Sequence, residues 1–190
     1  MEDERESWNR RYSEGSHMSR TPDPFLVKAY DNFIQPLYPK GGTALDVAGG
    51  IGRHAIWLAQ RDWRVTLLDI SDVAIGQANQ NAGKRADRID LRVQDLTNFS
   101  SAETYDLVFV FFYLERRILL ELERSLKPGG LLVYKTYTRE QQKFEGGPTH
   151  PLHLLEENEL LRSFSGMRVL YYRETIRERG VAEFVGRRRS

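Results

Sequence analysis

The stretch "ALDVAGGIGRHA", residues 44–55, decides how the rest of the chain reads. Its first residues, Ala44 to Val47, have the composition of a buried strand. They run through Gly49, Gly50 and Gly52 into "RHAIWLAQR", whose apolar residues fall at helical spacing. One glycine suffices to turn a strand into a helix. Three so close together leave the backbone bare where something approaches it.

Outward from this turn the pattern repeats. "RVTLLDI" reads as a second buried strand, and "DVAIGQANQNAGKR" as a helix that Ser71 or Asp72 caps and Gly83 ends. "IDLRVQDL" alternates like a third strand and "YDLVFVFFYL" is a fourth, apolar on both faces. "RRILLELERSL" is a helix closed by "KPGG", and "LLVYKTYT" is a fifth strand. Strands and helices alternating at this spacing predict right-handed crossovers and a parallel sheet covered on both faces. The rhythm then breaks. "REQQKFEGGPTHPLH", 139–153, is a long polar loop, "LLEENELLRSF" a helix, and "MRVLYYRETI" and "VAEFVGR" two strands joined as a hairpin by "RERG". At the other end, residues 1–24 read as a charged arm or lid, and "FLVKAYDNFIQPLY", 25–38, as a helix that stops near Pro36 and Pro39.

Composition narrows the function classes. A chain of 190 residues accommodates one domain with a continuous core. Lys and Arg number 28 against 27 Asp and Glu, so no global field draws the protein to nucleic acid or to a membrane surface. The tail "GRRRS" reads as a solvated terminus. The absence of cysteine excludes disulfides, thiolate metal sites and a cysteine nucleophile. "MEDERESWNRRYSEGS" is too polar for a secretory leader, and no apolar run approaches the roughly 18 residues of a membrane span. The expectation is a cytoplasmic protein, monomer or homodimer, with no nucleic-acid or membrane partner.

The glycine run can be read three ways. A phosphate loop needs G-x-x-x-x-G-K-[ST], and Arg53 and His54 after Gly52 rule that out. A dinucleotide fingerprint fits "GIGRHA", with Asp69 at the end of the second strand, so a NAD-dependent oxidoreductase stays open; it would still need catalytic residues from a domain for which there is no room. The third reading starts upstream. Asp46, Ala48, Gly50 and Gly52 at alternate positions resemble the D/E-x-G-x-G-x-G run of class I methyltransferases that use S-adenosylmethionine (SAM). Asp69 lies 23 positions beyond Asp46, "VQDL" follows strand three, and "LKPGG", 126–130, resembles the family's turn into strand five. With "WNRRY" near the N-terminus and "LLEENELLRSF" late in the chain, the order resembles the small tellurite-resistance methyltransferase branch. "REQQKFEGGPTHPLH" departs from that branch and leaves the substrate open.

The resemblance implies a Rossmann-like, doubly wound α/β fold. Its seven-stranded sheet would be mostly parallel, with a C-terminal antiparallel hairpin strand and helices on both faces. A single domain would span 1–190, with 139–153 over the acceptor site. It also implies SAM as methyl donor, S-adenosylhomocysteine (SAH) as product, and no metal. Asp69, with Ile70 beside it, would meet the ribose hydroxyls; Gln94, Asp95 and Leu96 the adenine. Gly49, Gly50 and Gly52 would let the backbone pass under the methionine part, while Ala48 stands where the family usually has glycine and narrows that pocket. Asp46 either buttresses the loop or reaches the donor's amino group through water. Trp8, Arg11 and Tyr12 either fold over the donor, with a ring near its cationic sulfur, or pack on the sheet edge. Val110 and Phe111 would form the wall between donor and acceptor.

No dedicated base stands out. A soft acceptor such as a thiol, selenium or tellurium compound needs none; an oxygen or amine acceptor would call on Tyr113, His54 or His150. His150 and His153 lack further ligands at metal-binding spacing. "FFYL" after strand four replaces the N/D-P-P-Y/F signature of nucleic-acid methyltransferases, which points to a small-molecule acceptor. A non-catalytic SAM-binding module is the remaining alternative.

Overall fold

The computed structural model describes residues 3–190. The chain divides into two compact units, Met1–Leu96 and Thr97–Ser190. Its seven strands form one mixed sheet in the order β3-β2-β1-β4-β5-β7-β6, the Rossmann-like arrangement expected.

In the first unit, β1 (Thr43–Val47), β2 (Arg64–Asp69) and β3 (Ile89–Val93) pair in parallel, with Val47 opposite Leu68 and Asp69 opposite Val93. β1 and β2 are apolar and buried because both faces are covered, as the near-continuous hydrophobic runs predicted. Helix α3 (Arg53–Ala59) follows β1, and α4 (Asp72–Ala82) follows β2, capped by the Ser71 hydroxyl on the Ala74 amide at 3.0 Å.

Two helices precede the sheet. The charged arm contains α1 (Glu4–Ser13), a helix that its composition did not announce. α2 (Pro24–Ala29) begins with proline at its first turn and an Asp23 cap on the Phe25 amide at 2.8 Å. It widens into a π turn over Tyr30–Ile34, so the helix expected over 25–38 is shorter and stops before Pro36.

In the second unit, β4 (Tyr105–Phe111) and β5 (Leu126–Tyr137) are parallel, and β5 pairs antiparallel with β7 (Arg179–Arg187), which pairs with β6 (Arg168–Arg177). "KPGG" lies inside β5 rather than closing a helix. The preceding helix is a 3-10 turn, Arg116–Ile118, running into α5 (Leu119–Arg124). "LLEENELLRSF" is helical only over α6 (Glu159–Ser163). Phe164, between Tyr134 and Phe184 at ring distances of 6.2 and 5.4 Å, joins α6 to the sheet.

The arginine tail is not solvated throughout. Arg187 donates to the Gly129 carbonyl at 3.0 Å, and Arg188 to the carbonyls of Arg124 and Leu126, which satisfies acceptors left over at the end of α5. Arg116 and Arg117, cations at a helix start, are likewise held by carboxylates: Arg116 by Glu159 at 2.7 Å and Arg117 by Glu115 at 2.7 Å.

Candidate functional site

The glycine turn closes on two buried carboxylates. Asp69, at the tip of β2, accepts from the Gly50 amide at 2.8 Å through one oxygen and from the Ser71 amide at 2.9 Å through the other. Each oxygen keeps a second lone pair for a hydroxyl. Burial pushes the Asp69 carboxyl above its ordinary value, against the pull of those amides. Asp46, on β1, is 1 % exposed, and its Oδ2 has no hydrogen-bond partner among the described residues. Burial and the neighbouring Asp69 charge raise its pKa well above the usual carboxylate range, while Arg53 opposes them.

The glycines serve three different neighbours. A Cβ on Gly49 would meet the Leu67 side chain at 2.6 Å and the Asp46 carboxyl at 2.7 Å, so this glycine lets β1 and β2 close around the carboxylate. Gly50, at φ +56°, faces the Tyr12 hydroxyl, 2.6 Å from where a Cβ would sit. Gly52, at φ +80°, starts α3 and faces Ala78 of α4. Ala48, which stands where the resembling sequence run has glycine, is itself left-handed at φ +58°.

Helix α1 lies on this turn. Tyr12 is buried against Ile51 and Ala74, with Trp8 and Val73 packed around them. Arg5 at 3.2 Å and Asn9 at 2.8 Å bind Asp72 at the start of α4, and the Ser71 hydroxyl donates to Asn9 at 2.7 Å. Burial, and then the charges of Asp69 and Asp46, push the Tyr12 hydroxyl upward, so it stays protonated. Arg11 stacks on the Trp8 ring at 4.9 Å, and His17 packs on Trp8 at 5.6 Å and Tyr12 at 6.2 Å. Burial, Arg11 and Arg53 lower the His17 pKa and favour its neutral form.

Of the residues the sequence singled out, Trp8, Tyr12, Asp46, Gly50 and Asp69 thus come together around one turn. Ile70 is half-buried beside Asp69, and the Gln94 amide donates to the Asp69 carbonyl at 2.8 Å. Asp95 is exposed and Leu96 buried. His54 is buried, and its Nε2 accepts from the Asp23 amide at 3.1 Å, anchoring the entry to α2. In the second unit Val110 and Phe111 are buried within β4. Tyr113 is half-buried, and its carbonyl takes the Tyr134 hydroxyl at 2.8 Å. His150 is exposed and caps the short turn at Pro151–His153. Sequence reasoning passed over Asn9, His17 and the pair Lys135–Glu183; the one available signal was a lysine inside the apolar run "LLVYKTYT".

Residues 44–130 match the family described as Methyltransferase domain. The match spans somewhat less than half of the chain. Among solved structures, TehB from Haemophilus influenzae is 17 % identical with a TM-score of 0.75, over 95 % of this chain and 67 % of that one. The N-methyltransferase NodS from Bradyrhizobium japonicum WM9, in complex with SAH, is 18 % identical with a TM-score of 0.72, over 98 % of both chains. Magnesium protoporphyrin IX methyltransferase from Synechocystis PCC 6803, with bound SAH, is 17 % identical with a TM-score of 0.70, over 97 % of both. At these identities the likeness is one of fold. No curated protein matches the sequence. Among the described residues no helix is long and apolar enough to cross a membrane, and no group of three or more His, Asp or Glu could hold a metal ion.

Proposed function

We propose that the protein transfers a methyl group from SAM to a small molecule whose nucleophile is soft or already anionic, such as a thiol, selenium or tellurium compound. The observation that carries the reading is the pair of desolvated carboxylates, Asp46 and Asp69, beside the glycine turn. Two buried carboxyls gain stability from a cationic ligand that ionises them and gain none from a pyrophosphate, which disfavours a dinucleotide at the same turn. They suit a ligand with cationic sulfur and a cationic amino group.

The residues fit SAM in detail. The orphaned Asp46 Oδ2 offers a partner for the amino group, Asp69 offers lone pairs to the ribose hydroxyls, and Gln94, Asp95 and Leu96 follow β3 where an adenine would lie. Trp8 and Tyr12 on α1 would cover the donor and exclude water. SAM supplies an activated methyl: the acceptor's lone pair forms the new bond to carbon, and the carbon–sulfur pair stays on sulfur. The protein then has to align the reactants rather than move a proton. Tyr113, His54 and His150 remain the candidates should the acceptor carry a proton, though His54 already accepts a backbone hydrogen bond.

Calorimetric titration with SAM, SAH and NADH tests the donor, with SAM and SAH expected to bind and NADH not. Tight NADH binding without SAM binding would overturn the reading. A panel of thiols, selenite and tellurite with methyl-labelled SAM then tests the acceptor class. If every acceptor stays unlabelled while SAM binds, the non-catalytic module is favoured.

A further inference from the structure

We infer that the carboxyl-terminal ends of β4 and β5, where β7 passes alongside, recognise a small aromatic anion, its ring held by Phe112 and Tyr137 and its charge by Lys135 under the moderation of Glu183. The inference rests on the methyltransferase reading, in which that anion is the methyl acceptor.

Ligands of open α/β sheets bind outside the carboxyl ends of the parallel strands. At this end, one face of β5 and β7 is shut: Tyr134, Thr136, Ala182 and Phe184 are all at most 1 % exposed. The residues between them, Lys135, Tyr137 and Glu183, are not fully buried, nor is Phe112 just past β4. The opposite face of the same strands is less tightly closed at its end, where the Lys135 and Glu183 side chains each keep 14 % exposure, and what it presents there is two rings and an ion pair.

The four groups form a chain of contacts. Lys135 and Glu183 are register partners on β5 and β7, with 3.2 Å between Nζ and the carboxylate. The Lys135 ammonium stands 5.7 Å from the centre of the Phe112 ring. That ring lies 5.0 Å from Tyr137 at 41°. Phe112 holds a left-handed backbone, φ +60°, which a bulky side chain rarely adopts, and its amide is fixed on the Lys135 carbonyl at 2.7 Å. Strain of this kind concentrates at sites where a side chain must be aimed.

The charges select the ligand. Glu183 is engaged at both oxygens, by Lys135 and by the Tyr171 hydroxyl at 3.5 Å. The member of the pair that stands beside a ring is the cation, so the proposed anion meets the pair on the side of Phe112. An unmoderated ammonium would hold an anion more tightly before methyl transfer, which cancels the anion's charge, than during it, and would slow the reaction. The carboxylate beside it limits that penalty.

The test is calorimetric titration of the full chain, with and without saturating SAH, against benzoate, benzenethiolate, benzyl alcohol and benzylamine. We expect the two anions to bind about tenfold more tightly than the alcohol, and benzylamine to bind most weakly. Benzoate and benzenethiolate separate an oxygen from a sulfur acceptor. Lys135→Met should erase the preference for anions, Lys135→Arg should restore it, and Glu183→Gln should strengthen it. A pair with a merely structural role would lower thermal stability in the Met and Gln variants without moving the preference in opposite directions, and that result would overturn the inference, as would equal binding of alcohol and anion or no binding of either anion. SAH binding with no aromatic-anion binding removes this inference alone. Anion selectivity without SAH binding removes the methyltransferase reading instead.

Discussion

Ala48 occupies a left-handed backbone that alanine does not favour. The strain amounts to about 1–2 kcal/mol for an L residue, partly offset by the greater freedom glycine brings to the unfolded chain. Ala48→Gly should therefore raise stability by about 0.5–1 kcal/mol, visible as a higher urea midpoint at unchanged slope; a lower midpoint would show that the alanine methyl packs usefully. Gly50 is the opposite case. Valine there must take φ +56° and push its side chain into the Tyr12 hydroxyl. Because Tyr12 sits on α1 and not within the sheet, Gly50→Val should abolish SAM binding while the far-ultraviolet circular dichroism stays close to that of the parent. Retained binding would mean that the turn does not carry the donor.

At the scale of elements, α1 is polar and ten residues long, too short to be stable alone. It persists through Tyr12 and through the hydrogen bonds of Arg5 and Asn9 to Asp72. Those bonds also hold the Asp72 carboxyl below its ordinary pKa. Asp72→Asn should loosen the helix, seen as faster protease cleavage near Gly15 and several-fold faster SAH release in stopped-flow fluorescence from Trp8, an effect a surface pair of this kind exerts weakly at high salt; unchanged rates at low salt would show that Tyr12 alone holds the helix. This element was illegible in the sequence because tertiary contacts, not periodicity, make it helical. β1, β2 and the glycine turn were legible for the converse reason, since two-sided burial forces a continuous apolar run. The segment 139–153 is long and polar in sequence, yet its start is pinned: Gln141 is 2 % exposed and takes the Gly180 amide at 3.1 Å. Nothing in a lone glutamine signals that partner 39 residues away. Asp69 was legible because a carboxylate at a strand tip has few other places to go; Lys135 and Glu183 became a pair only once β7 turned back along β5.

For the whole molecule, the two buried carboxylates link folding to pH and, under the proposed function, to donor binding. Asp46 and Asp69 hold protons more tightly folded than unfolded. Their contribution to stability is therefore greatest below the unfolded carboxylate range, at about pH 4, and declines as pH rises through their raised folded values. Asp46→Asn removes one such group, so it should stabilise the ligand-free protein at alkaline pH and lose that advantage as the solution is acidified. A cationic ligand reverses the sense, because it favours the ionised carboxylates. SAM binding should release protons, measured as a calorimetric heat that changes with the ionisation enthalpy of the buffer, and its affinity should rise with pH until both groups are ionised. SAH keeps the amino group but has a neutral sulfur, so its affinity should depend on pH less steeply. If SAM and SAH share one slope, the carboxylates serve the amino end alone, and the cationic sulfur is left to the aromatic rings of α1.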